Sequence, residues 1–256
     1  MGKIYTIISG KGGVGKTTSA INLAAALNSL QEEAIVVDGN LITPNVGLHF
    51  GAPIVPVSLN HVLNGKAVIH EAIYEHESGT KVIPASLSLK DLKKTNPEKL
   101  KNAVKLLKKT SDHIILDSAA GLGEEALAAI DAGDEIIIIT NPEMPAVTDA
   151  LKTIKIAEER KKPVTGVIIT RIKRDGYDMP YLNVKGMLEV PILGIIPEDK
   201  NMRKALVMKN AVYHTHPNSK SSRAYREIAE KLSGKKYDSI NKPSLYEQVL
   251  KKIGLR

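Results

Sequence analysis

The sequence predicts an α/β protein: a single doubly wound domain in which a mostly parallel sheet carries helices on both faces. Short runs of Val, Ile and Leu recur along the chain without polar alternation. Such runs are typical of strands that are buried on both faces. Longer segments with helical spacing separate them, and this alternation favours a layered sheet with right-handed crossovers.

The apolar runs and the segments between them define the predicted elements. Strands are expected at 3–9, 34–38, 81–84, 113–117, 135–140, 164–170 and 192–196. Helices are expected at 16–30, 97–109, 124–130, 145–161, 178–188, 199–208 and 219–233. The helix from residue 97 has a clear start, because Asn96 is a capping residue and Pro97 suits the first helical position. We therefore predict a domain of residues 1–233, followed by a linker and a terminal helix at 234–256.

The composition excludes several classes of protein. The chain has 256 residues and no cysteine, which excludes disulfide scaffolds, thiolate metal sites and iron–sulfur carriers. It has no apolar run near the roughly 20 residues of a membrane-spanning helix. The sequence starts at Met1 without the pattern of a signal peptide. We expect an unprocessed, cytoplasmic protein.

The net charge of +8 is concentrated in two places. Residues 90–109 hold eight lysines against Asp91 and Glu98, which leaves +6, and residues 234–256 carry +4 from six cations and two acids. Local basicity indicates anionic contact surfaces rather than a globally cationic protein. For residues 90–109 the alternative interpretation, which we favour, is the solvated face of a helix.

Directly after the first predicted strand, the chain fits the phosphate-loop pattern G-x-x-x-x-G-K-[ST], and a helix follows. Glycines let backbone N–H groups face phosphate oxygens, and the helix N-terminus adds positive potential. Lys16 would neutralise the β- and γ-phosphates, and the Thr17 hydroxyl would bind Mg²⁺. The predicted phosphate-binding residues are Gly10, Lys11, Gly12, Gly13, Val14, Gly15, Lys16, Thr17 and Thr18.

A second acidic position supports a nucleotide site. Asp117 ends the apolar strand at 113–117. In a doubly wound sheet the carboxyl ends of the strands meet at the ligand crevice. Asp117 is therefore expected beside the phosphate loop, where it would hold Mg²⁺.

Lys11, inside the loop, is not required by a general phosphate loop. With this extra lysine the chain resembles the MinD/ParA family of dimeric ATPases, and it looks most similar to the MinD branch, especially archaeal-type MinD relatives. Further matching segments follow in order along nearly the whole chain: Val37-Asp38 with Pro44-Asn45, Asp117-Ser118-Ala119-Ala120-Gly121, Asn141-Pro142-Glu143, Thr148–Lys152 and Ile196-Pro197-Glu198-Asp199.

The resemblance implies a mechanism. Two subunits would close face to face around two ATP molecules, and Lys11 would reach the partner's phosphates, as an arginine finger does. Asp38 with its loop and residues 117–123 would form two switches that sense the γ-phosphate. The resemblance thus implies ATP/ADP and Mg²⁺ as cofactors and a homodimer with ATP. It implies that the catalytic residues are Lys11, Lys16, Asp38 and Asn40. It implies that Mg²⁺ is bound by Thr17, Asp38 and Asp117. It implies that adenine is bound by Thr170, Arg171, Pro197, Glu198 and Asp199.

Three residues depart from the family pattern. Asn40 stands where a second acid is usual, and asparagine cannot take a proton from the attacking water. We expect hydrolysis to be slow or to need an activating protein, whose identity the sequence does not give. Ala119 replaces a proline of the second switch, and Thr170 replaces an asparagine that reads adenine. The replacement at Thr170 predicts weaker discrimination between ATP and GTP.

The last residues have the pattern of a short basic amphipathic helix. Ser244 and Glu247 have the spacing of a capping box. Such a helix lies on a membrane surface, or alternatively packs its apolar face on the core or mediates an oligomer contact. The first alternative would place the protein at the inner face of the cell membrane. One arc of this helix would hold Leu245, Tyr246, Val249, Leu250 and Ile253.

Two functions follow from the resemblance. The first is a MinD-like switch that positions the division site or another cell structure. The alternative is a ParA-like ATPase that grips DNA without sequence specificity through the lysines of 90–109, with Arg171, Lys173 and Arg174. We favour the first, and DNA is the less supported partner.

Overall fold

A central sheet organises the structure. The computed structural model describes residues 1–93, 95–173 and 175–237. Its strands are β1 Lys3–Ser9, β2 Ala34–Gly39, β3 Tyr74–Glu75, β4 Lys81–Ile83, β5 His113–Ala120, β6 Glu135–Thr140, β7 Val164–Ile172 and β8 Ile192–Pro197. They lie in the order β3-β4-β2-β5-β1-β6-β7-β8, and β3 with β4 is the antiparallel pair. The predicted fold class, a mostly parallel doubly wound sheet, is confirmed.

Helices cover both faces of this sheet. They are α1 Lys16–Ser29, α2 Val46–His49, α3 Leu59–Leu63, α4 Leu89–Leu92, α5 Leu100–Lys105, α6 Glu124–Ala132, α7 Met144–Glu159, α8 Tyr181–Leu188, α9 Lys200–Val207, α10 Val212–Thr215 and α11 Lys220–Ser233. Short 3₁₀ turns occur at Ile69–Ala72, Pro97–Lys99 and Leu106–Lys109. Within the described ranges, no helix combines the length and the apolar character needed to cross a bilayer.

The core explains why the strands are apolar without alternation. Ile7 and Ile8 are consecutive in β1 and both are fully buried. Ile7 packs in the cluster that contains residues of α1 and α11, whereas Ile8 packs in the cluster of α6 and α7. Side chains of a strand alternate between faces, so burial of both requires helices on each side.

Several predicted boundaries change in the structure, each for a local reason. The single helix predicted at 97–109 is α5 with a 3₁₀ turn at each end. Its buried Leu100, Val104 and Leu107 hold one face inward, and tight turns are common at helix ends. Helices α9 and α11 each begin one residue later than predicted, because Asp199 and Ser219 are their N-caps.

Short elements were not predicted. Strand β3 has two residues, too few to show a period in the sequence. Helices α2, α3, α4 and α10 are likewise one turn or little more. The predicted terminal helix, including Leu245 to Ile253, lies outside the described residues.

Candidate nucleotide-binding site

Parallel strands bring the predicted site residues to one edge of the sheet. Strand β5 lies between β1 and β2, and Asp38 of β2 is in register with Asp117 of β5. The phosphate loop follows β1 directly. Two carboxylates and the loop therefore meet at the carboxyl edge, where open α/β sheets bind ligands.

The phosphate loop has the backbone geometry of an anion site. Gly15, the N-cap of α1, has a φ of +96°, which favours glycine. Among the described residues no side chain caps the start of α1, so its first N–H groups face the loop without a side-chain acceptor. A Cβ on Gly10 would lie 2.7 Å from Asp149, so glycine is also required there. The Ser9 hydroxyl donates to the carbonyl of Lys11 at 2.7 Å and fixes the turn.

The two lysines of the loop occupy different environments. Lys16 is buried, with 8% of its surface exposed, and burial lowers its pKa while Asp117 partly opposes that effect. The side chain of Lys11 is 49% exposed, and its Nζ lies 3.8 Å from a carboxylate oxygen of Glu143. Lys16 thus faces the phosphate loop of its own subunit, whereas Lys11 projects from the edge of that loop.

Asp117 has an unsatisfied oxygen beside the loop. Its Oδ2 accepts a hydrogen bond from the Thr17 hydroxyl at 2.5 Å. Its Oδ1 is buried and has no hydrogen-bond partner among the residues that the structure describes. Burial raises the pKa of Asp117 to about 6, although Thr17 and Lys16 favour the charged form. A buried carboxylate oxygen without a partner is costly unless a ligand satisfies it.

Asp38 organises the loop that follows β2. Its Oδ2 accepts backbone N–H groups of Asn45 and Val46, each at 2.9 Å, and its Oδ1 accepts the N–H of Asn40 at 3.3 Å. Asp38 is fully buried, and burial together with the charge of Asp117 raises its pKa well above the usual range. This side chain therefore anchors residues 40–46.

These groups fit a magnesium ion. Mg²⁺ takes oxygen ligands, keeps several waters and commonly uses one or two carboxylates with nucleotide phosphates. Oδ1 of Asp117 and the oxygen of the adjacent Thr17 hydroxyl are metal ligands of that kind. A cation would also relieve the repulsion between Asp117 and Asp38.

A separate cavity of about 340 Å³ lies beside the loop, and the five residues predicted for adenine all line it. Two of their polar groups are already engaged. The Thr170 hydroxyl donates within the protein, with the Val14 carbonyl at 2.6 Å and Asn141 Oδ1 at 2.8 Å as acceptors. Asp199 accepts from the Asn201 N–H at 2.9 Å and from the Ser221 hydroxyl. Thr170 and Asp199 form walls of the cavity, and the Thr170 hydroxyl proton and both Asp199 oxygens already take part in hydrogen bonds within the protein.

Asn40 also has internal partners. Its Nδ2 donates to the Thr43 carbonyl at 2.6 Å, and its Oδ1 accepts from the Thr43 hydroxyl at 3.0 Å. The side chain closes a turn of its own loop. The amide at residue 40, where the resemblance implied a second acid, thus stabilises its own loop.

One residue at the site was missed by the sequence reasoning. His49, the last residue of α2, lines both the cavity of the predicted adenine residues, called the base cavity below, and a second cavity over the phosphate loop. A single histidine has no diagnostic spacing. Only the fold places it near the loop, so no sequence signal could have found it.

Comparisons with known proteins agree with this geometry. The AAA domain profile matches residues 2–165, and the profile of 4Fe-4S iron sulfur cluster binding proteins of the NifH/frxC family matches residues 112–254. This chain has no cysteine with which to hold a cluster. An uncharacterized ATP-binding protein of Methanocaldococcus jannaschii is 39% identical over 91% of this chain and 88% of its own length. The septum site-determining protein MinD of Bacillus subtilis is 30% identical over 91% of this chain and 90% of its own.

The chain belongs to the MinD/ParA family of P-loop ATPases. A solved structure of this family supports the same assignment. MinD from Pyrococcus horikoshii, complexed with Mg-ADP, has a TM-score of 0.87 and 32% identity, covering 94% of this chain and 98% of that one. Membership of the MinD/ParA family makes the phosphate loop of this protein a nucleotide site of the ATP-binding type.

Proposed function

We propose that this protein is an ATP-dependent switch in which two subunits close around two ATP molecules and hydrolysis separates them. The observation that supports this most is the position of Lys11. Its half-exposed side chain projects from the rim of the loop and is paired only loosely with Glu143. Exposed ion pairs contribute about 0–1 kcal/mol, so a partner's phosphate can replace Glu143 at little cost.

The other loop residues act within their own subunit. Lys16 binds the β- and γ-phosphates, and its burial strengthens that attraction. Thr17 and Asp117 would hold Mg²⁺, which when bound neutralises charge on the phosphates. Asp38 keeps the loop of residues 40–46 in place, so that loop can respond to the γ-phosphate as a switch.

Hydrolysis by this switch is slow or depends on an activating protein. The amide of Asn40 cannot accept a proton from water, and it is bound to Thr43. Catalysis then depends on positioning and on the charge of Lys11. A slow intrinsic rate gives the ATP-bound dimer a long lifetime, which suits a switch.

The dependence of turnover on protein concentration tests this proposal. Steady-state ATP turnover per subunit should rise with concentration in the wild type, because the active site is completed by a second subunit. Lys11→Ala should lose most turnover at every concentration. Lys155→Ala, which removes a similarly exposed lysine paired with Glu158, is the matched control and should behave as the wild type. Turnover per subunit that is independent of concentration contradicts the proposal.

The cellular role we propose is placement of a cell structure at a membrane surface. The name of the Bacillus subtilis relative, a septum site-determining protein, supports this role by analogy. The terminal segment supplies the basic amphipathic pattern of a surface anchor, which two subunits would double. Co-sedimentation with anionic liposomes, with and without residues 242–256, tests it. Equal ATP-dependent binding by both forms contradicts an anchor in this segment.

A DNA-binding role is the second candidate, because one lysine-rich surface faces solvent. Helix α5 buries Leu100 and Val104, whereas Lys99, Lys101 and Lys105 are exposed. The same exposure fits a solvated helix face. An ATP-dependent and salt-sensitive shift of duplex DNA, without lipid binding, would favour the DNA role.

A further inference from the structure

His49 lies beside the phosphate loop and is held there by the segment of residues 40–46 that follows β2. Its Nδ1 lies 3.1 Å from the backbone carbonyl of Asn45, the N-cap residue of α2. The N–H groups of Asn45 and Val46 in turn bind Asp38. The position of the imidazole is therefore fixed through a fully buried carboxylate at the end of β2.

The same contact determines the chemistry of the ring. A carbonyl oxygen can only accept, so Nδ1 carries the proton in the bond to Asn45. In the neutral ring Nε2 is then an acceptor with a free lone pair. Among the residues that the structure describes, Nε2 of His49 makes no hydrogen bond. Burial lowers the pKa of His49 more than its bond to Asn45 raises it, which favours the neutral form.

The place of His49 between two cavities indicates its ligand. The base cavity and the cavity of about 350 Å³ over the phosphate loop share four lining residues: Gly15, Thr18, His49 and Arg171. A nucleotide with its base in the first cavity and its phosphates in the second passes its ribose through this junction. Phosphate oxygens carry no proton to donate, whereas ribose hydroxyls do.

We propose that Nε2 of His49 accepts a hydrogen bond from a ribose hydroxyl of the bound nucleotide and so selects ribonucleotides over deoxynucleotides. This inference deepens the proposed function and rests on it, because it assumes ATP in the two cavities. It makes His49 a specificity-determining residue. No property of the phosphate loop alone would give that selectivity.

Calorimetric titration with ATP, 2′-deoxy-ATP and 3′-deoxy-ATP, each with Mg²⁺, tests the proposal. The wild type should bind ATP about 2- to 10-fold more tightly than one of the two deoxy compounds, which is the worth of one hydrogen bond. His49→Leu keeps the bulk and removes the acceptor, so it should bind the three nucleotides equally. His49→Gln keeps an acceptor at similar reach and should retain part of the preference.

His70→Leu is the matched control, because His70 is exposed and lines neither cavity. It should keep the wild-type preference. The proposal is overturned if His49→Leu retains the preference for ATP, or if it weakens all three nucleotides equally, as loss of a phosphate contact would. ATP binding without any preference in the wild type overturns this inference alone. Failure of the wild type to bind ATP overturns the proposed function as well.

Discussion

Replacing Asp117 by asparagine should stabilise the protein in the absence of ligand, although it damages the proposed magnesium site. Asp117 is fully buried, and within the described part of the chain one of its oxygens has no hydrogen-bond partner. Its pKa in the folded protein is about 6, above the usual 3.8. At neutral pH the folded protein therefore bears the cost of a buried charge that asparagine would remove.

The size and pH dependence of the effect follow from this pKa. A rise from 3.8 to about 6 corresponds to roughly 3 kcal/mol. The folded state binds the proton of Asp117 more tightly than the unfolded state does. The free-energy cost of the charged Asp117 is therefore absent below about pH 4 and complete above about pH 6. Asparagine loses the attraction of Lys16, so we expect Asp117→Asn to raise the free energy of unfolding by about 1–3 kcal/mol at pH 7.5.

Urea unfolding of the apo protein with EDTA, at pH 4.5 and pH 7.5, measures this difference. The gain from Asp117→Asn should be large at pH 7.5 and small at pH 4.5. Asp134→Asn is a control of opposite sign: hydrogen bonds from Lys108 and the Ile4 N–H outweigh burial and lower the pKa of Asp134. That variant should be less stable than the wild type at pH 7.5. A destabilised Asp117→Asn protein at pH 7.5 would contradict a costly buried charge at Asp117.

Three further predictions concern single contacts of the site. Asn40→Asp should raise steady-state ATP turnover at least about tenfold, because a carboxylate can accept a proton from water; an unchanged rate would rule out residue 40 as the cause of slow hydrolysis. Thr17→Val removes the hydroxyl bound to Asp117, so the apo protein should lose about 1–3 kcal/mol in urea unfolding, and undiminished stability would contradict this. The wild type should bind ATP and GTP within about tenfold of each other in competition titrations, since the Thr170 hydroxyl is engaged by Val14; a much stronger preference for ATP would show that another group reads the base.

The parts of the site that depend on local pattern and sheet topology could be predicted from the sequence. The phosphate loop is a contiguous motif whose glycines and lysine have direct physical roles. The proximity of Asp117 to it follows from the rule that parallel strands end at one edge, and the register of β2, β5 and β1 agrees. The sheet itself follows from apolar runs buried on both faces.

Contacts between loop side chains could not be predicted. The amide of Asn40 binds Thr43, and the Thr170 hydroxyl donates inside the protein, so neither group has the freedom that a motif comparison assumes. His49 becomes part of the site only because Asp38 holds α2 beside the loop. Such partners depend on backbone paths that sequence periodicity does not encode.

In the proposed dimer, one subunit completes the nucleotide site of the other through Lys11. Light scattering after size exclusion, with ATP and Mg²⁺, measures whether the dimer depends on this lysine. The wild type should change from monomer to dimer mass only with nucleotide, whereas Lys11→Ala should remain a monomer at the same concentration and Lys155→Ala should dimerise. A Lys11→Ala protein that binds ATP and dimerises as the wild type does would contradict a shared site.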